Sequence, residues 1–499
     1  MRYTPLLLSL SLLGACTTGP NYAGPPATAS DATARGSFVR ATDETLTPKP
    51  ALARWWEGLN DPTLTHLVDD ALAHSPTIDE AVGRIREAQA QLRQQQTGQL
   101  PSVSVNATYL HAKVPGAGLG GAGDTAGQES SGGDTSLNFY NVGLNASWEL
   151  DLFGGLRRGV EQGRATTEAR FADLADAQVS LSAQVAQVYV SLRDVQERVR
   201  LNAASTRLQQ QQLALSHQRF VQGTASRLDL ERLQGQLENT EAEAIPLGAQ
   251  RDEYLNQLAV LTGRTPGVLD ASLGAVVPVP LPPATVPIGD PAALIAHRPD
   301  IRSAERLLAA RTAGIGVNKA RELPGIQFLG LLGLGGSSPG DMFDLDNLTT
   351  LAAPMLSWSF LDFGRNRAAT RVAEAQRDQA EAAYRRTVLE ALQDAENALS
   401  RFGNTRAQLG QLARAEASAA RAAALNRQRV AAGTSTVIDQ LDTERQQLSA
   451  SIAVAQAKAQ LSQSYIAVNK ALGLGWSDAA VSAAETRAEE GEARRRSAR

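Results

Sequence analysis

Two aspartates, Asp439 and Asp442, stand three residues apart in "AAGTSTVIDQLDTER" (Ala431 to Arg445). On a helix, positions i and i+3 are neighbours, so the pair presents two carboxylates on one face. Such a face attracts cations; the plainer role of an acidic residue near a helix start is to complement the positive end of the macrodipole. Asp229 closes "QGTASRLD" (Gln222 to Asp229) in the same relation to a preceding glycine, and both readings apply to it. Cys16 is the one cysteine of the chain, so no internal disulfide can form. It ends "LGAC" (Leu13 to Cys16), behind Arg2 and the apolar run Leu6 to Leu13, which is the layout of an export signal. The run is too short to span a bilayer by itself. The five histidines, His66, His74, His111, His217 and His297, form no HExxH and have no cysteine partner, so they read as surface or capping residues. The glycine-rich stretch Pro115 to Asp134 lacks a following GK[ST] and reads as a flexible loop. No catalytic constellation, cofactor motif or metal site is expected.

Composition narrows the class further. With 43% hydrophobic and 20% charged residues among 499, the chain is not a disordered one. Its 48 basic and 52 acidic side chains give a net charge of -4, and no basic stripe is interleaved with aromatics. A nucleic-acid partner is therefore not expected.

The chain repeats itself. "AHSPTIDEAVGRIREA" (Ala73 to Ala88) aligns with "AHRPDIRSAERLLAAR" (Ala296 to Arg311) at an offset of 223, and "QLPSVSV" around Pro101 aligns with "ELPGIQF" around Pro324 at the same offset. Beyond the glycine-rich loop the offset becomes 210: Trp148, Phe153 and Gly154 match Trp358, Phe363 and Gly364, "QGTASRLD" matches "AGTSTVID", and Gly263 matches Gly473. Such self-similarity organises the chain into residues 1–15 as a signal peptide, 16–53 as a linker and 54–263 as a first repeat. A connector over 264–290, a second repeat over 291–473 and a solvated tail over 474–499 complete it. Seven prolines between Pro266 and Pro291 forbid a helix in the connector and suit an extended path.

Each repeat reads helix, strand, loop, strand, long helix, turn, helix. In the first, a helix near 62–98 precedes strands near 101–112 and 137–153, and helical sequence follows from about 155 to 222. The second repeat places strands near 324–335 and 350–363. Some 68 helical residues would extend roughly 100 Å, beyond the room in an ordinary globular domain. Val185, Val188, Leu192, Val195 and Val199 step by 3 and 4, as in a coiled-coil seam, and Leu441, Leu448, Ile452, Ala455 and Ala459 do so in the second copy. At the ends of the long helices, Gly223 with Thr224 and Gly433 with Thr434 supply positive-φ stops, and Ser or Thr can cap the returning helix.

In "NVGLNASWELDLFGG" (Asn141 to Gly155) apolar and polar residues alternate, putting Trp148 and its even-numbered neighbours on one face and Glu149 and Asp151 on the other. Four such strands have one greasy face, one wet face and two bare edges. A β-sandwich would hide the greasy faces, yet four strands make a small one beside helices this long. A membrane barrel answers both needs, with apolar residues toward lipid, polar ones toward a lumen, and closure removing the edges. Membrane barrels have at least eight strands, so several chains must contribute.

The sequence is similar to the outer-membrane factor family of TolC-type channels, specifically the lipoprotein branch found in tripartite efflux pumps. The likeness rests on "RWWEGLNDPTLTHLVDDAL" (Arg54 to Leu72), "RPDIRSAE" (Arg298 to Glu305), "GVNKARELPG" (Gly316 to Gly325), "WSFLDFGRNR" (Trp358 to Arg367) and "AAGTSTVIDQLDTER". The fold it implies is mainly α with a membrane β-barrel. Long antiparallel coiled-coil helices form an α-barrel tunnel, and four strands per chain join a twelve-stranded barrel shared by a homotrimer. The implied work is passive conduction from an inner-membrane transporter and a periplasmic adaptor across the periplasm and outer membrane. "LGAC" resembles a lipobox, implying cleavage before Cys16 and its lipidation; Thr17, with no aspartate after the cysteine, resembles the pattern of lipoproteins sent to the outer membrane.

Carried onto this chain, the resemblance makes the turns at Gly223, Thr224, Gly433 and Thr434 the adaptor contact, although simple helix punctuation also accounts for them. It makes Asp439, Asp442 and Asp229 carboxylate rings at the periplasmic entrance, favouring cations. It makes Trp148, Gly154, Trp358 and Gly364 the junction of barrel and tunnel. Val430 and Ser435 occupy positions where some relatives carry the Tyr and Arg that tie helices shut, so any lock here uses other contacts. A protein-secretion channel and a non-conducting envelope lipoprotein are the competing readings.

Overall fold

The computed structural model describes residues 17–49, 53–114 and 135–477. Helix α1 (Ser30–Arg35) and strand β1 (Leu46–Thr47) precede a 3-10 turn at Trp55–Leu59, then α2 (Pro62–His74) and α3 (Pro76–Thr97). Strands β2 (Ser102–Val114) and β3 (Thr135–Leu150) follow, then α4 (Gly155–Val221), α5 (Arg227–Leu261) and the short α6 (Asp270–Leu273). The second half runs β4 (Val286–Pro287), α7 (Pro291–His297), α8 (Pro299–Ala320), β5 (Gly325–Gly336), β6 (Leu348–Ser357), α9 (Arg365–Ala431) and α10 (Val437–Ala471). Lengths recur in pairs: α3 and α8 have 22 residues, α4 and α9 have 67, α5 and α10 have 35. Among the described residues no helix is long and apolar enough to cross a membrane.

Four local outcomes differ from the expectations above. The helix expected over 62–98 is two, because Pro76 forces Ser75 into extended backbone (ψ 132°). Strand β6 stops at Ser357 rather than 363, because Asp362 turns its carboxylate to the Gly364 and Asn366 amides and starts α9, leaving Phe363 at φ +53°. Asp151 lies beyond β3, so it does not line a strand face; it accepts from the Leu156 and Arg157 amides (3.1 and 2.9 Å) and caps α4. The connector holds a helical turn, α6, which falls in its one proline-free stretch. Cys16, the glycine-rich loop and most of the tail lie outside the described residues.

The chain forms two compact units that cut across its two halves. One unit takes residues 1–25, 87–167 and 306–381 and contains the sheet, an antiparallel β2-β3-β5-β6. Residues paired across antiparallel strands share a face. Val105, Leu144 and Leu332 are so aligned, as are Trp148 and Phe328, and with Val103, Tyr109, Leu348 and Leu356 they make one exposed apolar face. Cross-strand ring contacts, Tyr109 on Tyr140 (4.7 Å) and Trp148 on Phe328 (6.1 Å), hold its register. The other face is polar along β2 and β3, with Ser102, Ser104, Asn106, Thr108, Asn145, Ser147 and Glu149, up to the Leu110–Phe139 pair. Along β5 and β6 it carries Leu329, Leu331, Leu351 and Met355 instead. The clean alternation expected of all four strands therefore holds only in the first pair.

The other unit takes residues 26–86, 168–305 and 382–499, and holds the main core. Trp55 and Trp56, 1% and 2% exposed, pack edge to face, and the Tyr465 hydroxyl donates to the Trp55 carbonyl (3.0 Å). Asp61 caps α2 through the Thr63 and Leu64 amides and accepts from the Tyr189 hydroxyl (2.6 Å). The connector is fastened to α4 by Arg193, which donates to the Ala275 carbonyl (2.8 Å), and by Gln196, which donates to that of Leu273 (2.6 Å). Arg298 ties three helices: it donates to the Ala471 carbonyl at the end of α10 (2.7 Å), to that of Ala391 in α9 (3.4 Å), and to Asp300 in α8 (2.7 Å).

Candidate functional site

The long helices reverse through two turns with the same hydrogen bonds. In the first, Gly223 (φ +76°) donates to the Phe220 carbonyl and Thr224 to that of Arg219, which satisfies the frayed end of α4. In the second, Gly433 (φ +72°) donates to Val430 and Thr434 to Arg429. Both threonine hydroxyls also donate to that arginine carbonyl, at 3.0 and 3.1 Å. Ser226 then caps α5 by accepting the Asp229 amide (3.1 Å), and Thr436 caps α10 by accepting the Asp439 amide (3.1 Å).

This geometry gives the three aspartates definite local partners. The Asp439 carboxylate accepts from the Thr436 hydroxyl (2.7 Å) and amide (3.3 Å) and from Ser435 (3.3 Å), and these donors hold its pKa below the ordinary 3.8. Asp229 accepts from the Ser226 hydroxyl (2.7 Å). Asp442 pairs with Arg445 (3.0 Å) on the exposed face of α10. Ser435 shares that same hydroxyl proton between Asp439 and Asn426 of α9, the nearer acceptor (2.8 Å).

Away from the turns the seam of α4 is apolar: Val185, Val188, Leu192 and Val195 are all buried. Toward the turns it becomes polar, with Asn202, Ser205, Gln212 and Ser216 in the buried positions. Gln212, 6% exposed, donates to the carboxylate of Glu444 on α10 (2.7 Å), which is itself 9% exposed and also accepts from Gln440 (3.0 Å). This bond joins the first helical hairpin to the second. Sequence reasoning missed it, although a signal existed: the apolar stripe of α10 skips from Leu441 to Leu448, and Glu444 fills the vacant seam position.

At the sheet's helical rim, the Trp148 indole donates to the Gln99 carbonyl (3.0 Å) and the Trp358 indole to that of Glu322 (3.1 Å), so each tryptophan closes the approach to its own copy's first strand. Gly154 and Gly364 have φ +77° and +86° where α4 and α9 begin. A Cβ on Gly154 would also lie 2.9 Å from the Thr17 side chain, because the N-terminal segment runs against this rim. Thr18 donates through its amide to the Phe153 carbonyl (3.0 Å) and accepts from buried Arg158 (3.2 Å). All five histidines are exposed, and His74 and His297 close the last turns of α2 and α7 on carbonyls at 3.1 and 2.8 Å.

Residues 67–264 and 291–474 match the family model described as outer membrane efflux protein. The chain belongs to that family. The outer membrane protein OprJ of Pseudomonas aeruginosa is 30% identical over 489 residues, covering 95% of each chain. The pyoverdine export outer membrane protein OpmQ of Pseudomonas putida is 32% identical over 94% of this chain and 97% of its own. A solved structure of the outer-membrane channel OprN superposes with a TM-score of 0.83 at 32% identity, over 92% of this chain and all of that one. These outer membrane efflux proteins are channels, not enzymes, and the present one is the exit duct of an efflux system, located in the outer membrane with a periplasmic extension. Its chemistry is accordingly that of a lined path.

Proposed function

We propose that this outer membrane efflux protein works as a homotrimer whose twelve strands close one barrel and whose duplicated helical hairpins line a tunnel through the periplasm. The observation that carries the reading is the sheet: four strands with an exposed apolar face and unpaired outer edges on β2 and β6. Two copies would make eight strands, a barrel whose interior side chains fill. Three copies make twelve and leave a lumen, in agreement with the family resemblance. Substrates pass without chemistry, delivered by an inner-membrane transporter through a periplasmic adaptor.

The adaptor engages the turns at Gly223, Thr224, Gly433 and Thr434. Asp439, Asp442 and Asp229 form acidic rings at that mouth, and the polar stretch of the α4 seam lets the hairpins separate there at lower cost than the apolar stretch would. Trp148, Gly154, Trp358 and Gly364 mark the passage from barrel to tunnel. Cys16 carries acyl chains, and the fastening of Thr17 and Thr18 to the rim at Gly154 supports an anchor at that level. Purified trimer in planar bilayers tests the reading. Single-channel conductance is expected, and replacing Asp439 and Asp442 with Ala should lower the cation-over-anion permeability ratio several-fold in a salt gradient. A channel that stays silent even with both aspartates removed would refute conduction, and unchanged selectivity would refute the acidic mouth.

A further inference from the structure

Between the two hairpins lies a cavity of about 490 Å³, within the usual size range of small-molecule pockets. Part of its lining is apolar, from Leu201 and Leu208 of α4, Leu233 of α5 and Leu441 and Leu448 of α10, and the rest is polar, with Asp229, Asp442, Glu444 and Gln212 among it. One of these polar groups points to a ligand. The Glu444 carboxylate is buried, yet its described partners are two neutral amides, Gln212 and Gln440, and no cation. A carboxylate has about four acceptor sites, so roughly two remain open.

Burying an unpaired charge is costly, and a positively charged donor relieves it. Arginines also line the space, but they do not meet this need: Arg445 is engaged by Asp442, while Arg232 and Arg427 are exposed. From this geometry we infer that the cavity binds an amphiphilic amine, its ammonium donating to Glu444 and its apolar body lying along the leucines. The site lies inside one chain, so it stands independently of trimer closure and conduction.

The full-length protein in lipid nanodiscs should bind dansylcadaverine, a primary amine on a fluorescent apolar ring, with a blue shift and rise in emission. Dansylglycine, which carries the same dye on an anion, should not bind. Glu444→Gln keeps a hydrogen-bonding side chain but removes the charge, and should weaken dansylcadaverine at least tenfold. Leu448→Trp fills the space while keeping the carboxylate, and should abolish binding; it decides the matter should the Glu444→Gln protein fail to fold. Equal binding of dansylglycine, undiminished affinity in either folded variant, or no emission change in the parent protein at millimolar probe would overturn the proposal.

Discussion

The turn at Val221–Ser226 and the turn at Ala431–Thr436 are built alike and lead into helices that differ. Both stop a 67-residue helix with a positive-φ glycine, a threonine bonded five residues back, and a Ser or Thr cap. Past the cap, positions 210 apart diverge: Arg232 answers to Asp442, Gln234 to Glu444, and Gly235 to Arg445. Gln234 is exposed and reaches only along its own helix to Glu238, whereas Glu444 is buried and crosses to the other hairpin. Backbone geometry leaves few residue types able to reverse a helix, so the turns coincide. The following helical faces meet different neighbours, and there the two halves acquire separate roles.

The contrast can be broken most strongly at its buried end. Glu444→Ala takes from Gln212 its one described polar partner and should cost about 2 kcal/mol, the order expected for losing a hydrogen bond to a charged group, while Gln234→Ala should stay within about 0.5 kcal/mol. Urea unfolding midpoints of the two variants measure the difference, and equal shifts would erase it. A smaller effect should separate the caps. Thr436 makes a reciprocal box with Asp439 and Ser226 makes only half of one, so Thr436→Ala should cost about 1 kcal/mol and Ser226→Ala less. The smallest effect concerns acid. Because Thr436 holds the folded-state pKa of Asp439 below 3.8, the carboxylate's support for the start of α10 is complete above that pH and is lost as pH falls through the lowered value. Amide exchange over residues 433–439 should therefore gain protection from acid to neutral pH once the intrinsic rate is divided out, and Asp439→Asn should flatten that profile.

Much of this was legible in the chain because it depends on neighbours in sequence. Gly223 and Gly433 stop helices through the positive φ of their turns, and Pro76 breaks one by pushing Ser75 out of the helical region, a break that the expectation of a single helix over 62–98 passed over. Alternation along β3 showed its two faces, but the leucines of β5 and β6 on the opposite face emerged only with the register, since those strands lack a clean period of two. Asp439 and Asp229 were visible as acidic residues, and their bonds to the capping hydroxyls of Thr436 and Ser226 emerged only in the structure.

The sequence by itself determined the order of the main elements, the pairwise recurrence of their lengths and the family, because periodicity, stops and motif order are properties of a line. Tertiary structure alone decided that each compact unit draws on both halves of the chain. It also decided that Arg298 gathers three helices and that Gln212 meets Glu444 across 232 residues. Contacts at such separation follow from how faces pack, and a side chain's partner there is chosen by the space it enters rather than by the residues beside it.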